Sequence, residues 1–250
     1  MSQEIISETR GRVLLITLNR PEARNSVNSA MGNQLVAAIR QLDEDDDLSI
    51  GVLTGAGKGF SAGMDLKAFA TEGPPEGFSD FLIQGGSKPL IAAVEGFALA
   101  GGLEIALACD LIVAARGIPF GIPEAKRGLF AAGGALLRLP QRVGLGKAMD
   151  LALTAEPILS EEAHAIGLVD HLADPGQSAE AALELAERIS KNAPLSLQLS
   201  KRVLRQSQGM TDSEFWEFQN ADTASIFASQ DAREGAVAFA EKREPHRKGK

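Results

Sequence analysis

Four short apolar runs in the first two-thirds of the chain constrain its fold more than any other feature. Each run has four to six nearly continuous apolar residues, which is typical of strands buried on both faces of a parallel sheet. Helical patterns lie between them, from Ser29 to Asp43 and, after a glycine pair, from Gly101 to Cys109. Strands that alternate with helices predict an α/β fold with crossover connections. The runs are VLLITL (13–18), IGVLT (50–54), PLIAAV (89–94) and DLIVAA (110–115).

The last third of the chain has a helical pattern. Ser160 is predicted to cap a short helix that stops at Gly167, and further helices are predicted from Ser178 to Ser190 and from Thr211 to Glu244. A chain of 250 residues is long enough for one large domain with a helical appendage. We therefore predict a core over residues 1–192 and a helical C-terminal region over residues 193–250.

Charge and composition exclude several classes of ligand and location. The net charge of -8 argues against a nucleic-acid partner. Glu95, Glu104 and Asp110 interrupt the most apolar stretch, so it predicts buried core and no membrane span. A single cysteine cannot form an internal disulfide, and the first residues do not resemble a secretory signal, so a cytoplasmic location is predicted. The acidic run at 43–47 lacks the spacing of a calcium loop and predicts a solvated helix end.

The segment GKGFSAGMDL (57–66) contains motifs of two other enzyme classes. Gly59 to Gly63 match the G-x-S-x-G of serine hydrolases, and an overlapping stretch matches a dinucleotide fingerprint. A nucleophilic serine should follow its strand directly, whereas GAGKGF separates Ser61 from the strand that ends at Thr54. The fingerprint should lead to a second strand, but GPPEG (73–77) breaks the chain. What remains is either a surface turn or a glycine-rich turn that brings backbone N–H groups close to a ligand.

Two glutamates lie beside glycine pairs. The pair 101–102 opens an apolar helical segment with Glu104 in its first turn, and Glu124 precedes the pair 133–134 by nine residues. The start of a helix presents unpaired N–H donors and a partial positive charge, which suits a developing oxyanion. A carboxylate there can be a partner of the helix dipole, but the apolar neighbours of Glu104 indicate that it faces a cavity.

Taken in order, these segments resemble the crotonase (enoyl-CoA hydratase/isomerase) family over nearly the whole chain. The resemblance implies a spiral of ββα units with a helical C-terminal region that mediates trimers, often paired into hexamers. The motifs that carry it are VLLITLNRPEARNSVN (13–28), GFSAGMDL (59–66), KPLIAAVEGFALAGGLEIALACD (88–110), FGIPEAKRGLF (120–130), GGALLRLP (133–140), LSEEAHAIGLVD (159–170) and EGAVAFAEKREP (234–245).

The resemblance also implies a role for individual residues. The family's oxyanion hole matches the backbone N–H groups of Met64 and Gly101, and its two catalytic glutamates match Glu104 and Glu124. Residues expected near the CoA part of the substrate are Arg24, Ala62, Gly63, Asp65 and Lys242.

Both glutamates of the family motif are present, which favours hydration of a trans-2-enoyl-CoA over the other activities of the family. Isomerisation of a double bond and hydrolysis of the thioester stay open as alternatives. The stretch RGLFAAGGALLRLP (127–140) is similar to the carnitinyl-CoA dehydratase-like branch, so dehydration of carnitinyl-CoA is a further alternative. No metal is expected, and no cofactor beyond the coenzyme A of the substrate. The sequence does not indicate which glutamate is the acid and which the base.

Overall fold

The main sheet contains all four predicted apolar strands. The computed structural model describes residues 3–73 and 75–250, and within them every side chain except those of Phe69 and Glu72. Pro74, inside the predicted chain break at 73–77, lies outside the described residues. The strands of the main sheet are β1 (Ile5–Arg10), β2 (Val13–Leu18), β3 (Ile50–Gly55), β4 (Leu90–Val94), β6 (Leu111–Ala115) and β9 (His171–Ala173).

The order in this sheet is β1-β2-β3-β4-β6-β9. Only β1 is antiparallel to its neighbour, and the remaining pairs run parallel, as the apolar runs predict. A second sheet contains three short strands, β5 (Ala98–Leu99), β7 (Pro119–Gly121) and β8 (Ile158–Leu159). In it β7 pairs in parallel with β5 and antiparallel with β8.

Helices follow most of the strands and then fill the last third of the chain. Two 3-10 turns, Pro21–Ala23 and Pro123–Arg127, each start at a proline. The α-helices are α1 (Ser29–Glu44), α2 (Leu66–Glu72), α3 (Phe78–Gln84), α4 (Gly101–Ala108), α5 (Ala135–Thr154), α6 (Ser160–Ala165), α7 (Ser178–Ser190), α8 (Pro194–Gln206), α9 (Asp212–Ala228) and α10 (Gln230–Glu241).

Apolar side chains cover both faces of the main sheet. On one face, α7 contributes Leu183 and two alanines to a cluster with Val52 and Ile91. On the other face, α1 and α4 contribute Leu35 and Leu107 to the larger core cluster. Each fully buried aliphatic side chain contributes roughly 1.5–3 kcal/mol relative to an exposed one, so the sheet is a rigid base for the loops at its edge.

Cys109, the single cysteine, closes α4 within this core. It is buried, and its Sγ lies 3.6 Å from the Ile105 carbonyl oxygen. Burial raises the pKa of its thiol to about 12.

Two helix predictions are wrong in detail. Ser160 is the first residue of α6 and not its cap, because its hydroxyl instead accepts a hydrogen bond from the Ile118 N–H at 3.3 Å. The predicted helix from Thr211 to Glu244 is two helices. Ser229 lies between them in an extended conformation, and its side chain accepts from the Ala232 N–H to start α10.

The other helix limits are close to those predicted. α7 has the predicted bounds, α1 ends one residue later than expected, and Gly167 follows α6 with a φ of +84°. The end of α1 is exposed, as predicted for the acidic run at 43–47, and the described residues contain no group of three or more side chains that could hold a metal ion. None of the described helices is long and apolar enough to cross a membrane.

The division into a core over 1–192 and a C-terminal region over 193–250 stays a prediction. α8 starts two residues past that boundary, and its side chains reach back to the core. Lys201 Nζ lies 2.8 Å from Asp110 Oδ2, and Arg205 Nη2 lies 2.9 Å from Asp110 Oδ1.

Candidate active site

Two backbone amides lie beside each other where the glycine-rich segment meets the start of α4. A Cβ atom at Gly63 would lie 2.6 Å from the Gly101 nitrogen, and one at Gly101 would lie 3.3 Å from the Met64 nitrogen. Val27 holds the segment in place, because its N–H donates to the Gly63 carbonyl and its own carbonyl accepts from the Asp65 N–H. The N–H groups of Met64 and Gly101 donate to no acceptor in residues 3–73 and 75–250. Two adjacent free amides, one of them at a helix N-terminus, can stabilise a negative oxygen.

Ala100 directs the second amide through an unusual backbone conformation. It has φ +52° and ψ -133°, outside the regions that residues with a Cβ normally occupy. Its N–H donates to the Gly121 carbonyl at 2.9 Å, which fixes the turn onto β7. Strain of this kind costs on the order of 1–3 kcal/mol and is concentrated at functional sites. The turn reverses the chain so that Gly101 begins α4 next to Gly63.

Glu104 lies one turn into α4 and is only 5% exposed. Its Oε1 accepts a hydrogen bond from the Ala135 N–H at 3.2 Å, and the Gly133 amide donates to the same carboxylate. Burial raises the pKa of Glu104, while the two amides and the positive charge of Arg138 act in the opposite direction. Hydrogen bonds from two amides favour the ionised form of this carboxylate.

Glu124 lies on the 3-10 turn Pro123–Arg127 and is half-buried. Its Oε2 is buried and has no hydrogen-bond partner within the described part of the chain. Burial raises the pKa of Glu124, and the negative charge of Glu104 adds to this, while its own backbone amide and the charge of Arg127 act in the opposite direction. The two carboxyl groups therefore interact electrostatically, and both are partly desolvated. Their surroundings differ in the hydrogen bonds and charges that each carboxyl group meets.

Ser61, the serine of the hydrolase-like motif, is buried and fully engaged. Its hydroxyl donates to the Asn25 carbonyl at 2.8 Å and accepts from the Gly63 N–H at 3.1 Å. Asn25 is also buried, and its side-chain amide donates to the carbonyls of Ala56 and Gly59. These contacts join three loops and give Ser61 a structural role.

Arg24 borders a cavity of about 760 Å³ beside the glycine-rich segment. Lys58, Glu22 and Phe97 also line this cavity, so two cations, one carboxylate and an aromatic ring border it. The Arg24 carbonyl accepts from the Ala62 N–H at 3.0 Å, which links two residues that were predicted to lie near CoA.

Asp65 is occupied with contacts inside the protein. It forms an ion pair with Arg20 at 3.3 Å, and its Oδ1 accepts from the N–H groups of Lys67 and Ala68 at the start of α2. The Ala68 amide, with Arg20 adding to its effect, holds the pKa of Asp65 below its usual range against the opposing effect of burial. The Asp65 carboxylate thus fixes the segment that presents the Met64 amide.

Lys242 lies at the exposed end of α10 in a left-handed conformation, with φ +55°. Its side chain has no hydrogen bond or ion pair within the described residues. The structure therefore brings Met64, Gly101, Glu104 and Glu124 into one region and leaves Lys242 on the surface of the helical region.

Four contributors to the site were not predicted from the sequence: Ala100, the amides of Gly133 and Ala135, and Arg138. A backbone amide has no signature in the sequence, and neither does the φ of an alanine. Arg138 does have one, because it is a single cation in the apolar stretch ALLRLP (135–140).

The sequence profile described as enoyl-CoA hydratase/isomerase matches residues 8–250. The chain belongs to this family. The match spans the whole site described above and confirms the family resemblance of the motifs.

Individual members of the enoyl-CoA hydratase/isomerase family match along their full length. An enoyl-CoA hydratase of Mycobacterium tuberculosis is 41% identical over 254 residues, covering 97% of this chain and 96% of its own. A carnitinyl-CoA dehydratase of Salmonella arizonae is 36% identical, and the match covers 100% of both chains. The crystal structure of an enoyl-CoA hydratase from Mycobacterium marinum is 52% identical, covers 100% of both chains and has a TM-score of 0.94. The α/β fold expected for a member of this family is confirmed, whereas trimerisation through the C-terminal helices and a cytoplasmic location stay predictions.

Proposed function

We propose that this chain is an enoyl-CoA hydratase, which adds water reversibly and with syn geometry to the 2,3 double bond of a trans-2-enoyl-CoA thioester. One observation carries the proposal: two interacting carboxyl groups, Glu104 and Glu124, lie in partly desolvated surroundings beside the free amides of Met64 and Gly101. Relatives of this chain along its full length are named enoyl-CoA hydratases. The reaction needs no cofactor, because coenzyme A is part of the substrate.

In the proposed mechanism the thioester carbonyl oxygen accepts hydrogen bonds from the Met64 and Gly101 N–H groups. Glu104 removes a proton from water as the water oxygen bonds to C3, and the electrons of the double bond move into an enolate that the two amides stabilise. Glu124 then gives its proton to C2. A donor of this type contributes roughly 3 kcal/mol, and positioned proton transfer contributes about 10²–10⁴-fold in rate.

The surroundings of the carboxyl groups support this assignment of acid and base. Glu104 receives two amide hydrogen bonds, which favour its charged form, whereas Glu124 receives one from its own amide, and its buried Oε2 has no partner among the described residues. The charge of Glu104 further favours the neutral form of Glu124. Two carboxyl groups whose surroundings differ in this way can share one proton between distinct roles.

Coenzyme A is proposed to bind along the glycine-rich segment, through Arg24, the backbone of Ala62, and Lys242. Gly63 is proposed to contribute by its lack of a side chain, because its N–H donates to Ser61 and its carbonyl accepts from Val27. Two cations, Arg24 and Lys58, border the 760 Å³ cavity against one carboxylate, Glu22, and this excess of positive charge supports a site for phosphate groups. Asp65 takes part indirectly in this proposal, because its carboxylate is already bound by Arg20. Thioester hydrolysis through Ser61 is not supported, since that hydroxyl is buried and hydrogen-bonded on both sides.

The test is the loss of enoyl-thioester absorbance with crotonyl-CoA as substrate, with free thiol followed in the same samples. We expect wild type to hydrate the substrate without releasing thiol, and Glu104→Gln and Glu124→Gln each to lose at least about a hundredfold in kcat. Glu156→Gln is the matched control, because Glu156 pairs with Lys126 on the surface. Thiol release by wild type, or full activity in both variants, would contradict the proposal.

The assembly is proposed to be a homotrimer or a dimer of trimers in the cytoplasm. Support comes from large apolar side chains left exposed in the single chain. α9 has no buried residue, and it exposes Trp216 and Phe227, while α10 exposes Val237 and Phe239. A monomer that exposes such side chains in neighbouring helices has a surface suited to association.

A further inference from the structure

Arg138 is a half-buried cation that the proposed mechanism does not use. It lies in the first turn of α5, the helix whose Ala135 N–H binds Glu104. Its Nη2 donates to the Leu82 carbonyl at 2.5 Å and to the Ile83 carbonyl at 2.8 Å, near the end of α3. Its Nη1 is buried without a hydrogen-bond partner among the described residues.

A guanidinium in this position is unfavourable unless a negative charge compensates it. Burial and the neighbouring cations Arg205 and Arg142 lower the pKa of Arg138, whereas the Glu104 carboxylate raises it. Arg142 has its own partner, because its Nη1 lies 3.1 Å from Asp170. Geometry places the two groups at the same glycine pair, because a Cβ atom at Gly134 would meet Arg138 Nη1 and one at Gly133 would lie 2.6 Å from Glu104 Oε2. Glu104 is thus the catalytic-site charge beside Arg138 at the start of α5.

Few charges other than that of Arg138 act on the Glu104 carboxylate. Glu104 interacts with Arg138 from α5 and with Glu124 from the 3-10 turn, while Arg127 acts on Glu124. An ionised Glu124 would oppose ionisation of Glu104, whereas the protonated Glu124 of the proposed mechanism does not, and Arg138 favours ionisation of Glu104. α3 takes part as well, since the Leu82 side chain lies next to position 133, beside the Glu104 carboxylate.

We propose that Arg138 is a positioning residue that keeps Glu104 ionised and holds α3 against it. This inference rests on the proposed function, because the proposed hydration needs an ionised Glu104. A cation that only fastened α3 to α5 would act through its hydrogen bonds, and its charge would be irrelevant to Glu104. The two roles can be separated because substitutions can remove the charge and the hydrogen bonds independently.

Four variants separate the effect of the Arg138 charge from the effect of its hydrogen bonds. Arg138→Gln removes the charge but keeps a donor for the α3 carbonyls, Arg138→Met removes both, and Arg138→Lys keeps the charge. Arg142→Gln is the matched control, since it removes a cation from the same helix that is paired with Asp170. Thermal melting identifies any variant that does not fold.

The primary measurement is the infrared carbonyl stretch of the protonated Glu104 carboxyl group, assigned by its loss in Glu104→Gln and followed with pH. We expect Arg138→Gln and Arg138→Met to move the Glu104 titration upward by on the order of one pH unit. Arg138→Lys and Arg142→Gln should titrate as wild type does. The low-pH limb of kcat/KM should move upward by the same amount in the two neutral variants, because a base must be deprotonated to act.

The inference is overturned if the neutral variants titrate as wild type, or if Arg142→Gln causes the same shift. It is also overturned if Arg138→Lys shifts as much as Arg138→Met, since the contact and not the charge would then be responsible. The infrared titration needs no turnover. A shift without any hydratase activity in wild type would refute the proposed function alone, and hydration without a shift would refute this inference alone.

Discussion

A side chain at position 133 would occupy the space that holds the Glu104 carboxylate. A Cβ atom there would lie 2.6 Å from Glu104 Oε2 and 2.9 Å from Leu82 Cδ1. We expect Gly133→Ala to displace the carboxylate from its two amide donors and to lower kcat by about 10²-fold. Steady-state kinetics on an enoyl-CoA substrate would measure this loss.

Gly146→Ala is the matched control for this substitution. Gly146 lies in α5, just past the kink at Gly144, whereas Gly133 lies before the helix, and a Cβ atom at Gly146 would meet nothing within 4 Å. It should keep wild-type kinetics and be stabilised by up to about 1 kcal/mol, because alanine favours the helix. Equal activity of Gly133→Ala and Gly146→Ala would contradict the inference that a side chain at position 133 displaces the Glu104 carboxylate.

At the scale of residues, the sequence predicts which side chains carry functional groups, but it does not predict the residues that position them. Glu104 and Glu124 stand out because a charge in an apolar segment and a motif both mark them. Ala100 could not be predicted, since its positive φ follows from the hydrogen bond to Gly121 and the packing of Gly63 against Gly101. Long-range contacts of the backbone decide such conformations, and local sequence does not record them.

At the scale of elements, Asp110 connects the C-terminal region to the core. Its side chain is 21% exposed and binds Lys201 and Arg205 of α8, while the Leu90 N–H donates to it at 2.8 Å. Arg205 also donates to the Ala108 and Cys109 carbonyls at the end of α4. The helix that begins at the Gly101 amide is therefore held at its far end by α8.

We expect Asp110→Ala to lower the free energy of unfolding by about 3–5 kcal/mol, because two cations, one of them largely buried, lose their anion. Asp174→Ala is the control, since the Asp174 side chain is 85% exposed and pairs with Arg116 only at 4.0 Å. That variant should lose less than about 1 kcal/mol. Urea unfolding measures both, and equal losses would show that Asp110 does not anchor α8.

Strands with continuous apolar sequence were predicted well, and strands with mixed sequence were not. β2, β3, β4 and β6 were predicted within one residue because they are buried on both faces. β1 was missed because it is an edge strand with five of six residues exposed, IISETR, and lacks an apolar pattern. The second sheet was missed because strands of two or three residues are defined by their partners.

At the scale of the whole molecule, the proposed trimer depends on apolar side chains of the C-terminal helices. Phe227 on α9 and Phe239 on α10 are among the most exposed large apolar residues, at 77% and 87%. We expect wild type to have three or six times the chain mass of 26.3 kDa, and Phe227→Glu or Phe239→Glu to dissociate it. Light scattering coupled to size exclusion measures the mass.

Arg40→Glu on α1 is the control for these substitutions, since it changes charge on an exposed residue outside the C-terminal helices. It should keep the wild-type mass. A monomeric wild type, or glutamate variants with unchanged mass, would refute the proposed assembly. The layered α/β architecture follows from the chain's own apolar pattern, but the assembly depends on contacts between chains, which that pattern does not specify.

Because Cys109 is buried, the folded protein reacts very slowly with thiol reagents. Cys109 is the single thiol of the chain, and with a pKa of about 12 almost none of it is thiolate at neutral pH. A colorimetric reagent for thiols added to the folded enzyme therefore reports released coenzyme A with little background from protein. In a sample without substrate, the rate at which the reagent labels Cys109 measures how often the core around α4 opens.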